Sequence, residues 1–291
     1  MTVIFEKLFA LLQLVLPHHL LSRLIGYIAR SEVGFVKNTF IKGFLKNFDI
    51  NMAEAQEQDP LAYPSFNAFF TRALQPEARP IDGEENAIVS PADGAISQLG
   101  PIHGSDVLQA KGRHFSLYEL VGGDSALTAE FINGHFATVY LSPKDYHRVH
   151  MPFTGTLREM IYVPGRLFSV NQATTREIAD LFARNERAVC VFDTEQGPMA
   201  VILVGAMIVA GIETVFSGPV TPLSRTVQRI NYAQQQAPIV LNKGDELGRF
   251  YLGSTAIMLF PENSVEFSAA LDSDTPVRMG EKMGTFKATN T

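Results

Sequence analysis

One cysteine, Cys190, is all the thiol that this chain of 291 residues contains. An intramolecular disulfide is therefore excluded, which fits a reducing compartment. Cys190 lies in the apolar run Ala188-Val189-Cys190-Val191-Phe192, where a small core hydrophobe is its ordinary role. An apolar run of the roughly 20 residues that cross a bilayer is also lacking. The segment from Thr2 to Leu16 stops at Pro17 and is interrupted by Glu6, Lys7 and Gln13. Met199 to Ile212 is again too short, and its glycines, Gly205 and Gly211, among valines and isoleucines favour buried strands. No small-residue cleavage site follows the first segment, so a secretory signal peptide is not expected. Fixed-period repeats and low-complexity tracts are absent. So is the G-x-S-x-G elbow of ordinary hydrolases, because Leu252 and Ala256 flank Gly253-Ser254-Thr255.

What is present is a folding composition, 46% apolar and 19% charged, on a chain long enough for one large domain or two smaller ones. The net charge of -6 is unevenly spread. Residues 1–48 carry Lys7, Arg23, Arg30, Lys37, Lys42 and Lys46 against Glu6 and Glu32, which is +4 and leaves -10 for the remainder. These basic residues are scattered among leucines and phenylalanines over an acidic body, which argues against nucleic acid as the partner.

Three amphipathic segments account for the N-terminal region. In the first, read as a helix, Thr2, Glu6 and Gln13 form a narrow strip, with Ile4, Phe5, Leu8, Leu11, Leu12 and Val15 over most of the rest. The second places Ser22, Arg23, Gly26 and Arg30 opposite Leu20, Leu21, Leu24, Ile25 and Ile28; the third repeats Phe40, Phe44 and Phe48 beside Lys37, Lys42 and Lys46. Two readings fit: helices lying at an anionic membrane surface, or helices packed on the domain behind them. Beyond Gln75–Pro80 the texture becomes short Val- and Ile-rich runs separated by turn signals, with one short helix expected over residues 171–182 and a loose tail over 286–291. The expected class is α+β, with a helical membrane-docking region over 1–60 and a β-rich catalytic body over 61–291.

Three places hold chemistry-bearing residues. Asp93 sits in S-P-A-D-G, where Asp before Gly is first of all a turn signal. His147 and His150 lie three apart in D-Y-H-R-V-H, a spacing open to a shared metal or to acid and base work. Without a thiolate cluster or further ligands at recognisable spacing, metal is the weaker choice. Ser254, in Y-L-G-S-T, reads either as an ordinary strand serine or as a nucleophile with a histidine and an aspartate behind it.

L-G-S-T at 252–255, D-Y-H-R-V-H-M-P at 145–152, S-P-A-D-G at 90–94 and F-N-A-F-F-T-R at 66–72, with R-E-M-I-Y-V-P-G and L-F-A-R-N-E-R, resemble the bacterial phosphatidylserine decarboxylases over nearly the whole chain. The resemblance implies a proenzyme that cuts itself between Gly253 and Ser254, giving a large chain (1–253) and a small chain (254–291). It implies that His150 takes the Ser254 hydroxyl proton, that Asp93 orients His150, and that Ser254 ends as a covalent pyruvoyl cofactor. That group would form a Schiff base with phosphatidylserine, lose carbon dioxide and yield phosphatidylethanolamine, with His147 returning the proton. Further implied are an anionic membrane lipid surface, a homodimer, and a peripheral position on the cytoplasmic face of the bacterial inner membrane, with no metal and no nucleic acid. The segment 162–168 then reads either as a lipid-facing loop with Arg166 near the phosphate or as an ordinary hydrophobic turn. The rivals are a serine lipase using Asp93, His150 and Ser254 on an external ester, and a non-enzymatic lipid-binding scaffold.

Overall fold

An uninterrupted apolar strand needs cover on both faces, and Ser254–Phe260, buried at every position, receives it at the centre of a nine-stranded sheet. It pairs antiparallel with His135–Leu141 on one side, Ser254 opposite Leu141, and with Gly197–Gly205 on the other, Ser254 opposite Gly205. Beyond Gly197–Gly205 follow Arg187–Thr194, Gly155–Val163 and Gln228–Asn231; beyond His135–Leu141 lie Gly94–Pro101 and Pro276–Val277. Val240–Leu241 completes the sheet by pairing with Gly155–Val163. This is a computed structural model, and it describes residues 11–13, 16–110, 112–207, 211–220, 224–251 and 253–287. The class is α+β, as expected, with the longer helices at the N-terminus.

Alternation along the strands divides the interior into two cores. Ala256, Met258 and Phe260 face a core shared with Val139, Leu141, Cys190 and Leu203, while Ile257 and Leu259 face another with Phe136, Val191, Ile202 and Val204. By the same alternation Ser254 belongs to the first face. Closing over that face is a four-stranded sheet in the order Gly218–Pro219, Ile212–Thr214, Glu246–Phe250, Arg148–His150, which contributes Ile212, Leu247, Phe250 and Val149 to the same core. The histidine strand and the head of the central strand thus meet through one packed interior. Cys190 is fully buried there, and burial pushes its thiol far up, so it is a core hydrophobe.

The helix expected over 171–182 is interrupted: Gln172–Glu177 and Leu181–Arg184 are separate, with Asp180 in the left-handed region at φ +54° between them. What fixes the second piece is Arg187, which is 1% exposed and donates to the carbonyls of Leu120 (2.7 Å), Ala183 (2.6 Å) and Asn185 (2.7 Å), and to Glu119 O. L-F-A-R-N-E-R is accordingly a structural motif whose arginine satisfies carbonyls left open at helix ends.

At the turn of S-P-A-D-G, Ser90 Oγ donates to Ala92 O at 2.8 Å, and Gly94 then passes so close to the neighbouring strand that a Cβ there would lie 2.1 Å from Tyr140 O. Gly94→Ala is expected to destabilise the fold by about 3 kcal/mol or more, because backbone has to move to admit the methyl group. Urea unfolding of the substituted and unsubstituted chains measures this; a loss below about 1 kcal/mol would mean that the two strands can part there cheaply.

Candidate active site

The junction before the central strand is set by backbone conformation. Gly253 lies in the left-handed region at φ +49°, where a side chain is disfavoured, although a Cβ would meet nothing within 4 Å. The requirement for glycine is thus conformational. Directly after it, Ser254 is 0% exposed and its Oγ has no hydrogen-bond partner among the described residues. A buried hydroxyl without a partner is costly, and it is free of any bond that would have to break before it reacts. Leu252 lies outside the described residues.

His147 and His150 belong to the strand Arg148–His150 and the loop entering it, not to a helix. Among the described residues no group of three or more His, Cys, Asp or Glu side chains is placed to hold a metal ion. His147 is fully buried against the Phe70 ring, with centroids 4.1 Å apart. Its Nδ1–H donates to Asp145 O at 2.8 Å, which leaves Nε2 with a lone pair and no partner. Burial pushes its pKa down to about 3. His150 donates from Nδ1 to Gly244 O at 2.8 Å and accepts at Nε2 from the Tyr146 hydroxyl at 3.1 Å. Burial lowers its pKa as well, so it is a neutral imidazole with Nε2 as the basic nitrogen.

Among the described residues Asp93 makes no hydrogen bond to His150. Its carboxylate accepts from Arg79 Nε at 2.9 Å and Nη2 at 2.5 Å and from the Met279 amide at 2.9 Å. Arg79 Nη2 also donates to Glu54 at 2.8 Å. Burial works against the charge on Arg79, but its bonds to Asp93 and Glu54 prevail and hold the guanidinium protonated. The orienting position on His150 that the family resemblance assigned to Asp93 is filled by the Gly244 carbonyl, and Asp93 acts on the ring only through space, favouring its cationic form. Arg79, Tyr146 and Gly244 were not singled out in the sequence. Tyr146 stands inside the histidine motif, whereas nothing local marks Arg79 or Gly244, whose partners are 14 and 94 residues away.

The helical layer turns its apolar side outward. Along His18–Ala29 the buried residues are His18, Ser22, Gly26 and Ala29, while Leu20, Leu24, Tyr27 and Ile28 are exposed. In the preceding stretch Gln13 is buried and accepts from the Ser169 amide at 2.8 Å, with Leu11 and Leu12 exposed. Residues 1–10, 14 and 15 of that segment lie outside the described residues. Gly34–Asn47 is mixed: Phe35 is 82% exposed, but Phe40 and Phe44 pack on Phe66 at 4.4 and 5.2 Å, and Phe44 reaches Phe70 at 5.7 Å. Its aromatic repeat therefore serves the interior. Between the two helices runs a groove of about 680 Å³, lined by residues that include Ile28, Phe35, Phe40 and Phe44. No helix among the described residues is long and apolar enough to cross a membrane. In the segment 162–168, Tyr162 and Val163 end the strand Gly155–Val163, Leu167 and Phe168 are buried, and Arg166 is exposed.

A family model described as phosphatidylserine decarboxylase matches residues 66–285, and a second, described as PSD, matches residues 8–49. The chain is similar to the phosphatidylserine decarboxylase proenzyme of Alcanivorax borkumensis, 62% identical over 98% of both chains. To proteins of the same name from Pseudomonas fluorescens and Pseudomonas putida it is 58% and 59% identical, each over 96% of this chain and 97% of the relative.

The buried histidine gives acidification a definite sign. Unfolded, His147 titrates near 6.5; folded, it does so near 3. Above this window both states carry it neutral, and within it the unfolded chain takes up a proton that the folded chain refuses. Stability should therefore fall as pH drops below about 6.5, by about 1.4 kcal/mol per pH unit from this group alone. Denaturant titrations of Ser254→Ala chains between pH 7 and 4 should show the fall, and His147→Gln should flatten it. Equal slopes would show that the ring is not held neutral.

Proposed function

Because this chain belongs to the phosphatidylserine decarboxylase family, we propose that it converts phosphatidylserine to phosphatidylethanolamine with a pyruvoyl group made from its own Ser254. The observation that carries the reading is the partnerless Ser254 hydroxyl, buried directly after a left-handed glycine. Ser254 Oγ attacks the Gly253 carbonyl carbon as its proton passes to His150 Nε2, whose tautomer is held by Gly244 O. The lone pair at Nε2 is available once the Tyr146 hydroxyl gives way to that of Ser254. Asp93 supports the transient imidazolium through space. Breaking the Gly253–Ser254 C–N bond leaves an ester and a free amine on residue 254. Loss of the 254 α-proton then expels Gly253 as a carboxylate, and water replaces the nitrogen of the resulting dehydroalanine, releasing ammonia. The products are the large chain, 1–253, and the small chain, 254–291.

The buried position of residue 254 suits the group formed there. A pyruvoyl ketone supplies an acceptor for the substrate amine and a sink for the electron pair left by carbon dioxide. His147 returns a proton to that carbon, a role supported by its tautomer: Nδ1 is satisfied by Asp145 O, and Nε2 is without a partner among the described residues. Burial holds the ring neutral, and an anionic headgroup beside it raises its affinity for the proton it delivers.

A diacyl substrate stays in its bilayer, so the enzyme has to meet it there. The outward apolar residues of His18–Ala29, together with the basic excess of residues 1–48, support docking at an anionic surface on the cytoplasmic face of the inner membrane. Residues 1–60 then form the docking region and 61–291 the catalytic body.

Ser254→Ala should remain a single inactive chain on denaturing gels, while the unsubstituted protein gives two fragments, the smaller lacking a free amino terminus. His147→Ala should still cut, with kcat lowered about 10²- to 10⁴-fold. Cutting lost in His147→Ala and retained in His150→Ala would reverse the two roles. Replacing Leu20, Leu24 and Tyr27 together by serine should weaken binding to anionic vesicles at least about tenfold without affecting cutting, since each removes apolar area that the membrane would cover. Sedimentation with vesicles of phosphatidylglycerol and phosphatidylcholine reads this, and unchanged binding would sink the docking surface.

A further inference from the structure

Arg72, the last residue of F-N-A-F-F-T-R, is a buried cation with almost nothing to hold it. It is 4% exposed, and among the described residues its Nε has no partner, its one side-chain hydrogen bond is a long one of 3.4 Å from Nη2 to Lys144 O, and the Phe69 ring lies 5.9 Å from its guanidinium carbon. No carboxylate pairs with it among the described residues. The neighbouring charges are already committed: Asp93 to Arg79, and Glu246 to both Arg148 (2.8 Å) and Arg249 (2.7 Å). An arginine taken out of water and left without a counter-ion is a standing demand for an anion.

The location says which anion. Arg72 lines a cavity of about 440 Å³ together with Tyr63, Thr71, Arg148 and Arg249. It is close enough for its charge to act on His147, whose Nε2 is likewise unpartnered. A second cavity of about 370 Å³ shares Thr71 and Arg249 and runs from Arg30, at the end of the outward-facing helix, to Tyr251, three residues before Ser254. Thr71 and Arg249 line both cavities, whose walls also carry Glu57 and Glu213, and Arg148 Nε, next to His147 in sequence, donates to Thr71 O at 2.9 Å, which sets Arg72 beside the histidine strand.

We propose that Arg72 is the anion receptor of the active site, its guanidinium gripping the phosphatidylserine headgroup through a bidentate pair with either the carboxylate or the phosphodiester. This rests on the decarboxylase reading and names the residue that grips its substrate. Both sources present two oxygens to a planar fork, the geometry for which arginine is suited and lysine is not. Carboxylate capture would hold the departing group beside His147; phosphodiester capture would anchor the headgroup and leave the carboxylate free to go.

The test uses cleaved enzyme in lipid–detergent mixed micelles. Arg72→Gln should raise KM for phosphatidylserine about 10- to 100-fold, the worth of a charge-assisted hydrogen bond, and Arg72→Lys, which keeps the charge but not the fork, should raise it less. Inhibition by phosphatidylethanolamine, which has the phosphodiester but not the carboxylate, separates the sources. An inhibition constant that rises with KM assigns the phosphate, and one that stays fixed while KM rises assigns the carboxylate. A KM within twofold of the unsubstituted enzyme in whichever variant accumulates as cleaved protein overturns the proposal, and so does failure of both variants to accumulate, which would make Arg72 a folding residue. Failure of the decarboxylase reading itself shows earlier, as an uncut or inactive unsubstituted chain.

Discussion

The double set of strand hydrogen bonds on Ser254–Phe260 is the constraint on which the site depends. Paired along both edges, this strand cannot shift register without turning Ala256, Met258 and Phe260 out of one core and Ile257 and Leu259 out of the other. Its first residue is therefore fixed in place, and the chain can reverse direction only before it, at a residue that tolerates a left-handed backbone. The sheet thus fixes the backbone position of Ser254 and, through it, the junction with Gly253. The smaller sheet, packed on the same interior, brings the histidine strand to that end of the molecule.

A second organising feature is the aromatic contact path from the helical layer inward: Phe44 on Phe70, and Phe70 on His147. It desolvates His147 and ties that desolvation to the helical layer. The outward-facing helix, meanwhile, packs on the body through small and polar residues and spends its leucines on the outside, the reverse of what an ordinary surface helix does.

How much of this was legible beforehand follows from the range of each signal. Period-two alternation and turn residues are local, so the β-rich body and the buried strand Gly197–Gly205 could be read directly, and the serine, histidine and aspartate motifs could be found by resemblance. The direction in which an amphipathic helix faces is not local, because periodicity shows two sides and not which one the body covers; Ser22 and Gly26 inward, Leu20 and Leu24 outward, had to be seen. Partnership is less local still. Asp93 was expected on His150 and is bound instead by Arg79, while the carbonyl that orients His150 belongs to Gly244, 94 residues further along the chain. The break at Asp180, inside an otherwise plausible helix, is bridged by Gln109, 71 residues earlier, which donates to Thr175 O and Ile178 O and accepts from the Leu181 amide.

The strand that begins with Ser254 sits in the middle of the largest sheet and not at its rim, with eight other strands arrayed around it. A backbone severed just ahead of it would leave a short C-terminal piece gripped like the keystone of an arch, unable to depart unless the entire vault came apart. Scission at that point would alter covalent connectivity while leaving the strand pairings on both edges in place, so the two polypeptides would share one fate from then on.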